Sequence, residues 1–280
     1  MANIKISAFA DEYADSFEEQ LCALSRFEIK NIEVRHLDGR NISVLSKEDV
    51  KKAKRMLDSI GIRVSAVGSP LGKIRLDGDL DAHFETARHI FEAANILETE
   101  FVRIFSFYAP KDKNIADMKD AVLRELERLV VLAREHGVTL CHENEALIYG
   151  DIPSREKELL EHFGGELKCV FDMGNFVLEG IDPYFEAYEL LKNDIAYFHI
   201  KDALQRGAIV PAGKGEAKIK EIISAHKKYA KEDFFVSLEP HLQTFSGLNA
   251  LTESSFENPY KYTDQKSAFT DALIKFKELI

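Results

Sequence analysis

The chain has 280 residues, 45% of them hydrophobic, enough for a sizeable core in one large or two ordinary domains. Its 37 basic and 48 acidic residues give a net charge of -11, which argues against a general polyanion-binding surface and makes small molecules, not nucleic acid, the expected partners. Cys22, Cys141 and Cys169 form no CxxC pair, and no run approaches the roughly 18 apolar residues of a membrane span, so neither a disulfide framework, a zinc ribbon nor a membrane protein is indicated.

The N-terminal stretch carries Asp11 and Glu12 where a secretion signal needs its apolar segment, so a cytoplasmic protein is expected. Residues 4–9 read as a first strand, and Ser16 opens an amphipathic helix (Phe17, Leu21, Leu24) that ends near Phe27. Residues 31–35 repeat the strand signal. Ser46 with Asp49 three positions on resembles a capping box for a helix running to Ile60, which Gly61 then stops. A third strand over 63–67, a long helix over 79–96 and a fourth strand over 101–105 follow. A further helix ends at Glu135-His136-Gly137. Strand five is expected over 138–142, helix five over 154–163 and strand six over 167–171.

Asp182-Pro183 supplies a capping side chain and a first-turn proline for the sixth helix. Residues 195–200 and 234–238 are strands seven and eight, with a helix over 216–229 between them and a last helix over about 263–280. Eight alternations of strand and helix, without a linker rich in Pro, Gly or Ser, predict a single-domain (β/α)8 TIM barrel over residues 1–280. A doubly wound sheet would need a Gly-rich phosphate turn after strand one, and Phe9-Ala10-Asp11-Glu12 is not one. The longest loop, 242–262, is a candidate lid.

Such barrels place their chemistry at the carboxyl ends of the strands. Four consecutive strands there deliver Glu143, Asp172, His199 and Glu239. Strand parity is self-consistent: if Glu143 points inward so does Cys141, and the same alternation pairs Asp172 with Val170, His199 with Tyr197 and Glu239 with Ser237. Three carboxylates and an imidazole converging on one axis repel unless a cation compensates them. The oxygen-rich set suits one divalent ion, Mn²⁺, Mg²⁺, Co²⁺ or Zn²⁺.

Glu143-Asn144, Asp172-Met173-Gly174-Asn175, His199-Ile200-Lys201-Asp202 and Glu239-Pro240-His241 resemble the strand-end motifs of the sugar phosphate isomerase/epimerase family, the xylose isomerase-like barrels. The resemblance extends to Phe9-Ala10-Asp11-Glu12, Ile32-Glu33-Val34-Arg35 and Gly213-Lys214-Gly215 and spans nearly the whole chain. It implies that Glu143, Asp172, His199 and Glu239 bind one catalytic metal, and that Glu143 and Glu239 move protons. The expected activity is isomerisation or epimerisation of a small sugar, keto-polyol or sugar phosphate, by proton abstraction next to a carbonyl and a metal-stabilised enediolate. The alternatives are a metal-dependent lyase of the inosose dehydratase kind, an abasic-site endonuclease, which the acidic balance disfavours, and an inactive sugar-binding barrel.

Glu33, Arg35, His142, Asn175, Lys201, Asp202 and Lys214 are the candidate substrate contacts. Several have a duller reading. Glu33 and Arg35 would equally plug the barrel as an ion pair, and outward parity suits His142 to a supporting or helix-facing role. Lys201, Arg206 and Lys214 lie where barrels commonly hold phosphate, or are solvated loop charge. Asp202 is expected to orient Lys201 or a substrate hydroxyl, Glu145 to be solvated, and Phe105, Phe107 and Tyr108 to wall the sugar or simply pack the rim. A homo-oligomer is compatible with the sequence.

Overall fold

The apolar runs form eight parallel strands: β1 (Ile4–Ala8), β2 (Asn31–Val34), β3 (Arg63–Gly68), β4 (Phe101–Ile104), β5 (Thr139–Glu143), β6 (Leu167–Asp172), β7 (Ile195–Ile200) and β8 (Phe234–Leu238). This computed structural model describes residues 2–205, 207–243 and 260–280. The strands are hydrogen-bonded in the order β1-β8-β7-β6-β5-β4-β3-β2, which brings β1 back beside β2 in a nearly closed barrel. No ladder joins those two. Asn31 Nδ2 instead donates to Ile6 O at 3.1 Å across the seam, and inside it Ser7 Oγ and Ser65 Oγ lie 2.7 Å apart.

Strand alternation divides the core into two layers. Leu140, Cys169, Phe171, Phe198, Val236 and Leu238 face the helices in one large apolar cluster, whereas Ala66, Cys141, Val170 and Tyr197 form a small separate cluster within the barrel. The inward parity expected of Cys141, Val170 and Tyr197 is what is observed, and it places Glu143, Asp172 and His199 above them.

Helices α1 (Phe17–Arg26), α2 (Lys47–Ile60), α3 (Leu80–Leu97), α4 (Lys119–Glu135) and α5 (Pro153–His162) connect the first six strands. Ser46 and Asp49 form the expected capping box on α2, and Gly61 ends that helix with φ 69°, a left-handed conformation that glycine adopts without a Cβ penalty. A short α6 (Met173–Leu178) follows β6 directly, with the Asp172 side chain accepting from Asn175 N as its cap. Six residues are too few to show a helical period, so it is absent from the sequence expectation.

The helix expected at Asp182-Pro183 is capped by Asp182, but it runs as a π-helical segment (Pro183–Tyr188) before the last turn of α7 (Glu189–Leu191). Helices α8 (Ile219–Tyr229) and α9 (Gln265–Leu279) complete the chain. Between β7 and α8, Asp202–Leu204 pairs with Ala208–Val210 in a small ribbon. The candidate lid falls mostly at 244–259, and it and Arg206 lie outside the described residues.

Candidate metal centre

β5, β6, β7 and β8 or the residues just beyond them carry Glu143, Asp172, His199 and Glu239 to one point, each at most 2% exposed. Each offers a ligand atom, and these atoms all lie within 4.8 Å of one another. The scaffold decides which atom faces the centre. Glu33 Oε2 lies 3.1 Å from His199 Nε2 and Tyr197 OH donates to Glu33 Oε1 at 2.9 Å, so the imidazole is held from behind and turns Nδ1 forward. His199 Nδ1 lies 3.0 Å from Glu143 Oε1 and 3.1 Å from Glu239 Oε2.

The carboxylates divide their oxygens in the same way. Arg103 Nη1 donates to Glu143 Oε2 at 3.0 Å, Arg35 Nη1 to Glu239 Oε1 at 2.8 Å, and Asn175 N to Asp172 Oδ1 at 2.8 Å. That leaves Glu143 Oε1, Glu239 Oε2 and Asp172 Oδ2 toward the centre. The last two are buried and accept no hydrogen bond of good geometry, although Lys201 Nζ makes charge contacts with Asp172 Oδ2 at 2.8 Å and Glu239 Oε2 at 3.5 Å. Buried acceptors without donors, converging with an imidazole nitrogen, fit a divalent cation with oxygen and nitrogen ligands.

Electrostatics follow from this crowding. Burial alone would raise the Glu143 carboxyl, yet His199 and Arg103 hold it down at about 2, and Lys201 and His199 likewise keep Glu239 well below the usual carboxylate range. Asp172, raised by burial against the pull of Lys201, stands at about 6. Burial would lower the His199 imidazole, but Glu143, Glu33 and Glu239 raise it well above its ordinary value, and Asp172 and Glu239 do the same for Lys201. Close packing supports the lysine, since a Cβ at Gly174 would come within 2.8 Å of Lys201 O.

A second acid-histidine group, Glu12, Glu239 and His241, also brings ligand atoms within 4.8 Å. Arg35 already sits among its carboxylates, its Nη2 3.3 Å from Glu12 Oε1 and its Nη1 2.8 Å from Glu239 Oε1.

Of the candidate substrate contacts, Asn175 and Lys201 are at the centre, and Arg35 pairs with Asp11, Glu12 and Glu239 and not with Glu33, the partner of the duller reading. Three others make contacts within the frame. Glu33 lies beneath His199 as its hydrogen-bond partner. His142 faces α5, with Nδ1 2.5 Å from Glu156 Oε2 and both side chains fully buried. Asp202 accepts from Gly213 N and Gly215 N on one oxygen and from Ala203 N and Ala217 N on the other, at 2.7 to 3.0 Å, and so shapes the loop instead of facing the centre. Lys214, in that loop, is exposed. Glu145 is paired with Lys73 at 2.7 Å, not simply solvated, and Phe105 and Phe107 are fully buried.

Sequence reasoning gave no role to Arg103, Asn144 or Phe9. Asn144 Nδ2 donates to Asp172 O and its Oδ1 accepts from Asp172 N, both at 3.0 Å, which ties the ends of β5 and β6 together. Its place beside Glu143 was the available signal. Phe9 carries both arginines, Arg35 and Arg103 lying 4.2 and 5.4 Å from its ring centroid, and meets His199 edge-on at 5.2 Å.

A parallel barrel with a buried acid-histidine centre at its strand ends defines the class of protein. The chain belongs to the xylose isomerase-like TIM barrel family, whose model matches residues 23–257. No curated protein matches it in sequence. Among solved structures it resembles the probable 3-DHS dehydratase AsbF of Bacillus anthracis, at 17% identity and TM-score 0.72, over 98% of each chain. It is also similar to the IOLI protein with a bound zinc atom, at 15% identity and TM-score 0.73 over 98% of this chain and 97% of that one. An L-ribulose 3-epimerase matches at 17% identity and TM-score 0.71 over 99% and 94%. At such identities the likeness is one of fold. No described helix is long and apolar enough to cross a membrane.

Proposed function

We propose that the chain is a divalent-metal-dependent isomerase or epimerase of a small sugar or keto-polyol, with residues 1–280 as one cytoplasmic barrel domain. The observation that carries it is the convergence of Glu143, Asp172, His199 and Glu239 within 4.8 Å at the ends of four successive strands. A cation held by these four would polarise a substrate carbonyl and its neighbouring hydroxyl and stabilise the negative charge left by a departing α-proton.

The chain's own residues supply the rest. His199 with Arg103 keeps Glu143 ionised and Lys201 with His199 keeps Glu239 ionised, the form a base needs, and the two glutamates, arriving from separate strands, would flank the substrate carbon. Removal by one and return by the other inverts a centre; transfer between adjacent carbons interconverts aldose and ketose. The surrounding burial excludes water from the proton. Metal-loaded Glu143→Gln should keep the fold and lose exchange of substrate α-hydrogen with deuterated water, and undiminished exchange refutes the assignment.

Lys201 favours a second reading. Its buried ammonium, in charge contact with Asp172 and Glu239, is placed to protonate a leaving hydroxyl, as a lyase requires. Product mass separates the two, since dehydration loses water and isomerisation does not.

A further inference from the structure

We infer that the centre takes an uncharged substrate, a neutral ketose or keto-polyol held through its hydroxyl and carbonyl oxygens, and turns away phosphate esters and carboxylates. This rests on the enzyme reading above. Two arrangements carry it, the fixing of the buried cations and the occupation of a loop built to hold an anion.

Arg35 gives its guanidinium to Asp11 and Glu239 at 2.9 and 2.8 Å, with Glu12 at 3.3 Å. Arg103 gives Nη1 to Glu143 Oε2 at 3.0 Å and Nη2 to Ser69 O at 3.2 Å. Both stack on Phe9, and Arg103 lies also over Phe105 at 4.7 Å, so neither can swing to a substrate anion without losing its ring contact. Lys201 is held by Asp172 at 2.8 Å. Among the described residues these three cations face the carboxyl groups of Asp11, Glu12, Glu33, Glu143, Asp172 and Glu239. With a divalent ion these cations would carry five positive charges against the six carboxyl groups, so none of the three buried cations is left over for a phosphate.

The loop Gly213-Lys214-Gly215 looks suited to cradle an anion, since successive backbone N–H groups turn to one side. They turn onto Asp202. Gly213 N and Gly215 N donate to Asp202 Oδ2 at 2.7 and 3.0 Å, Ala217 N to Oδ1 at 3.0 Å, and a Cβ at Gly215 would lie 2.2 Å from Oδ1. An internal carboxylate already occupies that nest. Lys73 is paired with Glu145, and the sequence 244–259 contains no Lys or Arg.

The test uses the full chain loaded with Mn²⁺ and a panel of ketopentoses and ketohexoses, each beside its phosphate monoester. Exchange of α-hydrogen in deuterated water is followed by NMR, and the Tm is read with each compound and with millimolar inorganic phosphate. A neutral member should exceed its phosphate ester by about 100-fold or more in kcat/KM, the scale on which like charges brought together discriminate. Inorganic phosphate should leave Tm and rate unchanged. Equal or better turnover of a phosphate ester, or stabilisation by phosphate, overturns the proposal, as does a panel in which no neutral ketose exchanges or raises Tm. If neutral ketoses raise Tm and esters do not while nothing exchanges, the uncharged-ligand inference stands and the proton-transfer reading falls.

Discussion

Metal uptake at this centre should be coupled to proton release, and the coupling follows from the groups that face one another. In the metal-free chain the carboxylates of Glu143, Glu33 and Glu239 overcome the lowering effect of burial and raise the His199 pKa well above its ordinary value, so the ring is an imidazolium at neutral pH. Asp172, raised by burial, titrates at about 6. A metal ligand must be a neutral imidazole or an ionised carboxylate. At pH 7 about one proton therefore leaves, that of His199; near pH 5 Asp172 adds a second. Since the proton-bearing forms compete with the cation, affinity rises with pH, by about tenfold per unit near pH 7 and about a hundredfold per unit near pH 5, or roughly 1.4 and 2.7 kcal/mol. Calorimetric titration with Mn²⁺ or Zn²⁺ in two buffers of different ionisation enthalpy counts the protons directly. His199→Gln should remove the proton of His199 itself, and because the imidazolium helps to hold Asp172 down, the release that remains should be that of Asp172 and extend to higher pH. A pH-independent affinity with no proton release at pH 7 would refute the reasoning, because His199 would then already be neutral.

Two further substitutions separate scaffold from site. Glu156→Ala leaves His142 buried beside an empty carboxylate position and should cost about 3 to 5 kcal/mol in chemical denaturation. Exchange activity per folded molecule should hardly change, and a selective loss of activity would move His142 into the site. Asp202→Ala removes an acceptor that serves four backbone N–H groups and should destabilise by about 3 kcal/mol or more, with loss of amide protection at Gly213, Gly215 and Ala217. Inorganic phosphate should partly restore the Tm of this variant and not that of the parent chain; equal protection at those amides in both would sink the account of the loop.

The convergence of Glu143, Asp172, His199 and Glu239 was legible because strand parity is a local rule with long reach. Once β5 to β8 were placed, the period of two fixed which of Cys141, His142 and Glu143 faced inward, and order along the chain brought Asp172, His199 and Glu239 to the same rim. What stayed hidden depended on side chains meeting across elements whose facing no period reports. Glu156 lies on α5, and nothing in that helix marks it as the partner of His142. Asp202 reads as a polar strand end until the loop folds back 11 to 15 residues to meet it. Arg103 sits alone on β4 in no motif. Its pairing with Glu143 follows only from β4 lying beside β5, with Arg103 opposite Cys141 in the register.

The same geometry explains why the supporting residues matter as much as the ligands. Each carboxylate has one oxygen held by the frame and one turned to the centre: Glu143 by Arg103, Glu239 by Arg35, Asp172 by the first turn of α6. His199 repeats the arrangement with two nitrogens, one held against Glu33 and one facing inward. Four groups that would repel if free are thus aligned, and Phe9 with the two arginines over its ring packs against that alignment. The contacts that orient these four groups also commit Arg35, Arg103 and Lys201, so the proposed metal site and the proposed refusal of an anionic substrate rest on one set of contacts.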